Sequence, residues 1–335
     1  MYVWDDEWLA KHTEHALDPE LAIVDPHHHL WDLPGLKPYL LEQLRGDTHG
    51  GHRIEATVFV ECGWAYRDGG PAHLRPVGET EAVAAIAEAA SSAGGAEAAA
   101  IVGFADLTLG DRVQETLDAH LEAGRGRFRG VRHATAFDPD PRIRRTHSRP
   151  TAGLMGTGEF RAGVRRLAAA GLGFDAWLYH PQIPELTELA RAVPECTFVL
   201  DHLGGMLGIG PYEGRRDEIL HRWRLDVAEL ARCPNVTMKL GGIGMVVFGL
   251  GFEHRPTPPS SEELAAAWRD PILFAIEQFG PDRCMFESNF PVDRVTCSYV
   301  TLWNAFKRIT AGAGITGDER DALFRTTARH VYRLP

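Results

Sequence analysis

Eight short apolar runs divide this chain, and nearly every one closes on a side chain able to bind a metal, move a proton or hold an anion. The first reads Ala22-Ile23-Val24-Asp25-Pro26-His27-His28-His29. The later ones close on Glu61, Asp106, Arg132-His133, Tyr179-His180, Asp201-His202, Lys239 and Glu287-Ser288-Asn289. Runs such as Thr57-Val58-Phe59-Val60 and Thr197-Phe198-Val199-Leu200 suit strands buried on both faces, as a parallel sheet requires. Helical periodicity fills the intervals, over 79–92, 111–123, 161–170, 183–192, 215–232, 261–279, 299–309 and 318–330, with Pro271 expected to kink or divide its helix. Alternation of strand and helix selects the α/β class. The count of eight, and the lack of a G-x-G-x-x-G after the first strand, favour a (β/α)8 TIM barrel over a doubly wound sheet. A barrel brings all its strand ends to one mouth, so residues far apart in sequence are expected to meet there.

A barrel of this kind takes ~250 residues, and the chain has 335. The expected organisation is an N-terminal extension over 1–21 and a barrel over 22–335, without a linker rich enough in Pro, Gly or Ser to mark a further boundary. Two long irregular segments, 135–158 after the fourth strand and 244–260 after the seventh, are expected to rise over the mouth, since loops of this length in compact domains are commonly functional. The first carries Arg142, Arg144, Arg145 and Arg149.

The formal net charge of −11 speaks against a nucleic-acid footprint, which needs a basic surface. No apolar run approaches the ~18 residues of a membrane span, and 1–19 lacks the basic head and apolar core of a signal peptide. Five cysteines, odd in number and without C-x-x-C, point to a reducing compartment. The expectation is a cytoplasmic protein with a small-molecule substrate as partner, no nucleic acid and no membrane; a homo-oligomer is left open.

Alternation along the first strand puts Asp25, His27 and His29 on one face and His28 on the other. Two imidazoles on one strand make half of a divalent-metal site; His180 and His202, at later strand ends, are placed to join them. A hydrogen-bonded core histidine is the plain alternative for each. Glu61 ends an apolar strand, where an unpaired carboxylate is costly, so it is a ligand, a general base or the partner of an arginine such as Arg132. Lys239 is expected to pair with Glu61 or Asp201, or to bind a substrate carboxylate; Arg132 and His133 read as anion holders.

At these residues the sequence resembles the amidohydrolase superfamily, in its amidohydrolase-2 branch of metal-dependent TIM-barrel hydrolases. The matching pieces are Val24-Asp25-Pro26-His27-His28-His29-Leu30-Trp31-Asp32, Val58-Phe59-Val60-Glu61-Cys62, Gly130-Val131-Arg132-His133, Val199-Leu200-Asp201-His202-Leu203-Gly204 and the run from Arg283 through Glu287-Ser288-Asn289-Phe290-Pro291 to Asp293. In character they are nearest to the sugar-lactone, sulfomuconolactone and pyrone-dicarboxylate lactonases, in a branch that also holds non-oxidative decarboxylases. The resemblance implies His27, His29 and His180 as metal ligands, and Glu61, His202, Asp293 and Asn289 as catalytic positions. Arg132, His133, Tyr179 and Lys239 would bind substrate. It also implies one divalent ion, zinc or manganese.

One departure bears on all of this. Where the family's eighth strand ordinarily ends in an aspartate, this chain has Asn289. An amide takes no proton from water near neutral pH and is a weak neutral ligand. Three expectations follow: the base is at Glu61 or Asp293, the metal is absent, or the chemistry is not hydrolytic. The lysine that binuclear members carry on the fourth strand is not evident either, so a binuclear centre is not expected. The leading expectation is a hydrolase opening a cyclic ester of a small carboxylated or sugar-like substrate. A decarboxylase or other lyase is the alternative, and a non-catalytic binding protein is the third.

Overall fold

The computed structural model describes residues 4–334. Eight strands follow in chain order: β1 (Ala22–His28), β2 (Arg53–Val60), β3 (Ala100–Gly103), β4 (Phe128–Val131), β5 (Gly173–Ala176), β6 (Phe198–Leu200), β7 (Val236–Lys239) and β8 (Cys284–Met285). They form one parallel sheet in the order β1 to β8. Beyond β8 the chain continues alongside β1: Asn289 N donates to His27 O at 2.9 Å and His29 N to Phe290 O at 2.7 Å, and His28 and Phe290 form a parallel bridge. Those contacts bring the eighth strand round to the first, as a (β/α)8 barrel requires.

The strands are short because each spans only the barrel wall, and nearly all of their residues are buried; every residue of β3, β6, β7 and β8 is. Val24, Val58, Val60, Val102, Val199 and Met285 pack with Ala328 and Tyr332 of the C-terminal segment in one apolar cluster. A second, larger cluster joins the strands to the helices around them. Helices fall close to their expected spans: Val77–Ser92, Gln114–Ala123, Gly158–Ala169, Ile183–Ala192, Arg216–Leu230, Ser261–Phe279 and Tyr299–Gly312. Ser261–Phe279 runs through Pro271 as one helix. It begins at a reciprocal cap, in which Ser260 Oγ accepts from Glu263 N at 3.2 Å and Glu263 Oε2 accepts from Ser260 N at 2.9 Å. The last expected helix is divided, with a π-helical turn over Ala322–Thr326 between two short helices.

Of the expected N-terminal extension, residues 4–21 are described, and they pack on the barrel. Trp4 stacks edge-on against Tyr39 at 6.3 Å, Trp8 Nε1 donates to Arg255 O at 2.7 Å, and Glu14 accepts from Ser261 N at 2.7 Å and Asn304 Nδ2 at 2.8 Å. The extension thereby braces the far end of the 244–260 loop. Among the described residues no helix is long and apolar enough to cross a membrane.

Candidate active site

At the C-terminal ends of the strands lies a cavity of about 170 Å³, open to solvent, whose wall includes His29, Glu61, Arg132, Tyr179, His202 and Asn289. Both long loops reach it: Arg144, Thr146 and His147 come from the first, Met245 and Val247 from the second. Tyr179 Oη donates to Arg144 O at 2.6 Å, which ties the first loop to the end of β5. Trp31 and Trp177 add flat apolar walls.

On the β2–β4 side, Arg132 Nε donates to Glu61 Oε1 at 2.8 Å and Nη2 donates to the Glu61 carbonyl. Nη1 lies 3.2 Å from His27 Nε2. The other Glu61 oxygen faces His147 Nε2 at 3.3 Å. Burial works against the Arg132 charge, but Glu61 and Asp201 outweigh it and raise its pKa, so the guanidinium is a permanent cation in the cavity wall.

On the β6–β8 side the partners are imidazoles. Glu287 Oε1 lies 2.7 Å from His202 Nδ1 and accepts from His202 N at 3.2 Å. Its Oε2 lies 2.8 Å from His27 Nδ1. Burial pushes the Glu287 carboxyl up, yet His202 and His27 bring it down to about 2. Below this layer Lys239 Nζ sits 2.8 Å from Asp175 Oδ2 and 3.1 Å from Asp201 Oδ1, and Tyr332 Oη donates to Asp175 at 2.7 Å.

His29 Nδ1 faces Val60 O at 2.7 Å. A carbonyl only accepts, so Nδ1 carries the proton and Nε2 its lone pair. Burial, then His27 and Arg132, hold this imidazole well below the ordinary histidine pKa, so it is neutral at pH 7.

The structure therefore brings His29, Glu61, Arg132, Tyr179, His202 and Asn289 to one cavity, with His27 buried directly behind. Four expected positions are elsewhere. His180 is buried outside the cavity wall, because its ring accepts from Leu207 N at 3.3 Å and packs on Tyr212. His133 accepts from Leu107 N at 3.1 Å and is sandwiched by Phe104 and Phe160. Lys239 is fully buried among carboxylates and is not on the cavity wall. Asp293, also fully buried, accepts from Gly244 N and Asn289 Nδ2, both at 2.8 Å; burial raises its pKa well above the carboxylate range. It anchors the loop after β7 instead of facing substrate. Asp25 departs too: β1 shifts register between Asp25 and His28, and the carboxylate turns to Ser288 and Tyr299.

Residues 24–334 match the amidohydrolase family model. The chain belongs to the amidohydrolase family. The uncharacterized protein y4mH of Sinorhizobium fredii is 34% identical over 94% of this chain and 99% of its own length. An L-fucono-1,5-lactonase of Burkholderia multivorans is 29% identical over 72% of this chain and 73% of its own. Among solved structures, an amidohydrolase from Burkholderia multivorans with bound zinc superposes with a TM-score of 0.72 at 25% identity, covering 94% of this chain and 100% of that one.

Whether this amidohydrolase offers a divalent-metal site is a question about its donors. His27, Asp201 and His202 bring ligand atoms within 4.8 Å of one another. Two of these three, His27 and Asp201, already face cations. His27 Nε2 faces Arg132 and its Nδ1 lies 3.1 Å from Lys239 Nζ as well as beside Glu287. Asp201 Oδ1 faces Lys239, and Oδ2 faces Arg132 at 3.6 Å. At ~4 Å and an effective dielectric of ~20, a doubly charged ion repels each such charge by roughly 8 kcal/mol. As arranged, the set does not fit a divalent ion, because a guanidinium and an ammonium stand where its charge would be.

Lys239 pairs with Asp201, one of its two expected carboxylate partners. Glu287 was visible in the sequence only as a polar closure of the eighth apolar run, and its place beside two imidazoles comes from the fold.

Proposed function

We propose that this amidohydrolase opens the ring of a small lactone that carries a carboxylate, by water attack without a metal. The observation that carries the reading is that His202 and Arg132 line the same cavity. The first is a buried imidazole whose Nδ1 meets a carboxylate, the second a fixed cation. Among the described residues Nε2 of His202 has no hydrogen-bond partner, so it is open to a water in the cavity.

His202 Nε2 takes a proton from water as the oxygen attacks the lactone carbonyl carbon. The ring C–O bond then breaks, and the departing oxygen takes that proton back, giving the hydroxy acid. Arg132 faces the oxygen on which negative charge grows. Arg144 holds the substrate's carboxylate, while Trp31 and Trp177 bound the ring. Glu61 is committed to Arg132 and His147, and Asp293 lies behind the wall, so neither is the proton acceptor in this reading. The relatives named as L-fucono-1,5-lactonases support a lactone substrate.

The test is turnover of L-fucono-1,5-lactone and of carboxylated lactones in ¹⁸O-water. One ¹⁸O in the new carboxylate is expected; release of carbon dioxide would replace this reading with a lyase. His202→Gln is expected to lower kcat by ~10²–10⁴-fold, the usual worth of a general base, and Asp293→Asn to leave the proton transfer intact. The reverse pattern would move the base to Asp293.

A further inference from the structure

We infer that Glu287 is the positioning residue of this site: its carboxylate sets the tautomer and orientation of His202, and so leaves the His202 Nε2 lone pair facing the cavity. This deepens the role given to His202 above and rests on it.

Oε1 takes His202 Nδ1 at 2.7 Å and His202 N at 3.2 Å. A carboxylate of lowered pKa only accepts, so His202 Nδ1 carries the proton and its Nε2 keeps a lone pair. Oε2 lies 2.8 Å from His27 Nδ1, but that nitrogen also faces Lys239 Nζ at 3.1 Å and the opposite one faces Arg132 Nη1, so the carboxylate fixes the tautomer of His202 alone. The backbone contact has a second purpose, because His202 and Leu203 sit at φ +54° and +51°. Such a conformation persists in side-chain-bearing residues only where the surroundings hold it, and here Glu287 grips both the main chain and the ring of His202.

The turn after β7 is shaped to admit this arrangement. A Cβ on Gly241 would lie 2.5 Å from Glu287 Cγ, and one on Gly242 would lie 2.2 Å from His202 Nδ1. Gly242 also has φ +65°. Space for a side chain has been given up twice to let a carboxylate and an imidazole meet. Glu287 precedes Asn289 by two residues on the segment that follows β8, and Asn289 sits at φ +55°. The carboxylate that Asn289 lacks is therefore present on the same segment, one layer deeper, where it acts through His202 and not on substrate.

Glu287→Leu tests this because a side chain of similar size then offers His202 Nδ1 no acceptor. The expected result is a kcat lower by ~10²–10⁴-fold at unchanged KM, with ¹⁵N NMR of labelled imidazoles showing that His202 no longer holds its proton at Nδ1 alone. Unchanged kcat, or His202 still protonated only at Nδ1, would overturn the proposal. In the wild-type protein the same spectra must show Nδ1–H on His202, and an Nε2–H His202 there would overturn it even if the variant fails to fold. If His202→Gln is fully active while the tautomer is as stated, it is the lactonase reading that fails.

Discussion

The two sides of the mouth use the same kind of group to different ends. Glu61 and Glu287 are both buried carboxylates at strand ends, at 1% and 0% exposure. Glu61 is gripped by a guanidinium that never releases its proton, while Glu287 is gripped by two imidazoles that can. An arginine partner makes a fixed ion pair, suited to holding an anion; a histidine partner makes a proton acceptor whose orientation is set from behind. Partner identity, more than the carboxylate, decides what each side can do.

The comparison breaks most visibly at Arg132. Arg132→Gln leaves Glu61 buried without its cation, and removing one member of a buried pair costs about 3–5 kcal/mol. A large fall in melting temperature is expected together with a raised KM. An unchanged melting temperature would mean that Glu61 is neutral and the two sides are not different in kind.

Arg144→Ala acts on the same side from the loop, without disturbing the buried layer. Loss of one exposed charge-assisted contact should raise KM for a carboxylated lactone by roughly 10-fold, leaving kcat and stability in place. Equal effects on a lactone without a carboxylate would show that Arg144 shapes the loop and does not read the anion.

On the other side, pH sharpens the contrast. Burial lowers the His202 pKa below 6.5, and Glu287 only partly restores it. A base works when neutral, so activity is complete above that lowered pKa and is lost as pH falls through it. The acid limb of kcat/KM should lie below pH 6.5, and a limb above 6.5 would contradict the assignment of His202. The smallest expected effect is that of a chelator. With Arg132 and Lys239 already facing the His27 and Asp201 donors, turnover should not change on chelation; loss of activity that zinc restores would show that a metal displaces them.

Much of this was legible in the chain itself. The barrel followed from eight buried runs alternating with helical ones, since strands covered on both faces must be apolar along their whole length. The ends of those runs named nearly all the polar residues, including Glu61, Arg132, Asp201, His202 and Glu287. Sequence could not say which of them look into the cavity. His180 and His133 end their runs as His202 does, yet a backbone donor and Tyr212 hold one away from the cavity, and two phenylalanines with a backbone donor hold the other. Asp293 looked like a carboxylate in reach of Asn289 and is in reach, but it bonds to that amide from behind the wall.

Order along the chain thus determined the fold and the inventory of chemical groups, because burial pattern and strand count are local properties of sequence. Pairing was decided only in three dimensions. Glu287 meets His202 across 85 positions of chain and Arg132 meets Glu61 across 71, and whether a carboxylate faces a guanidinium or an imidazole depends on which strand ends the closed barrel sets side by side.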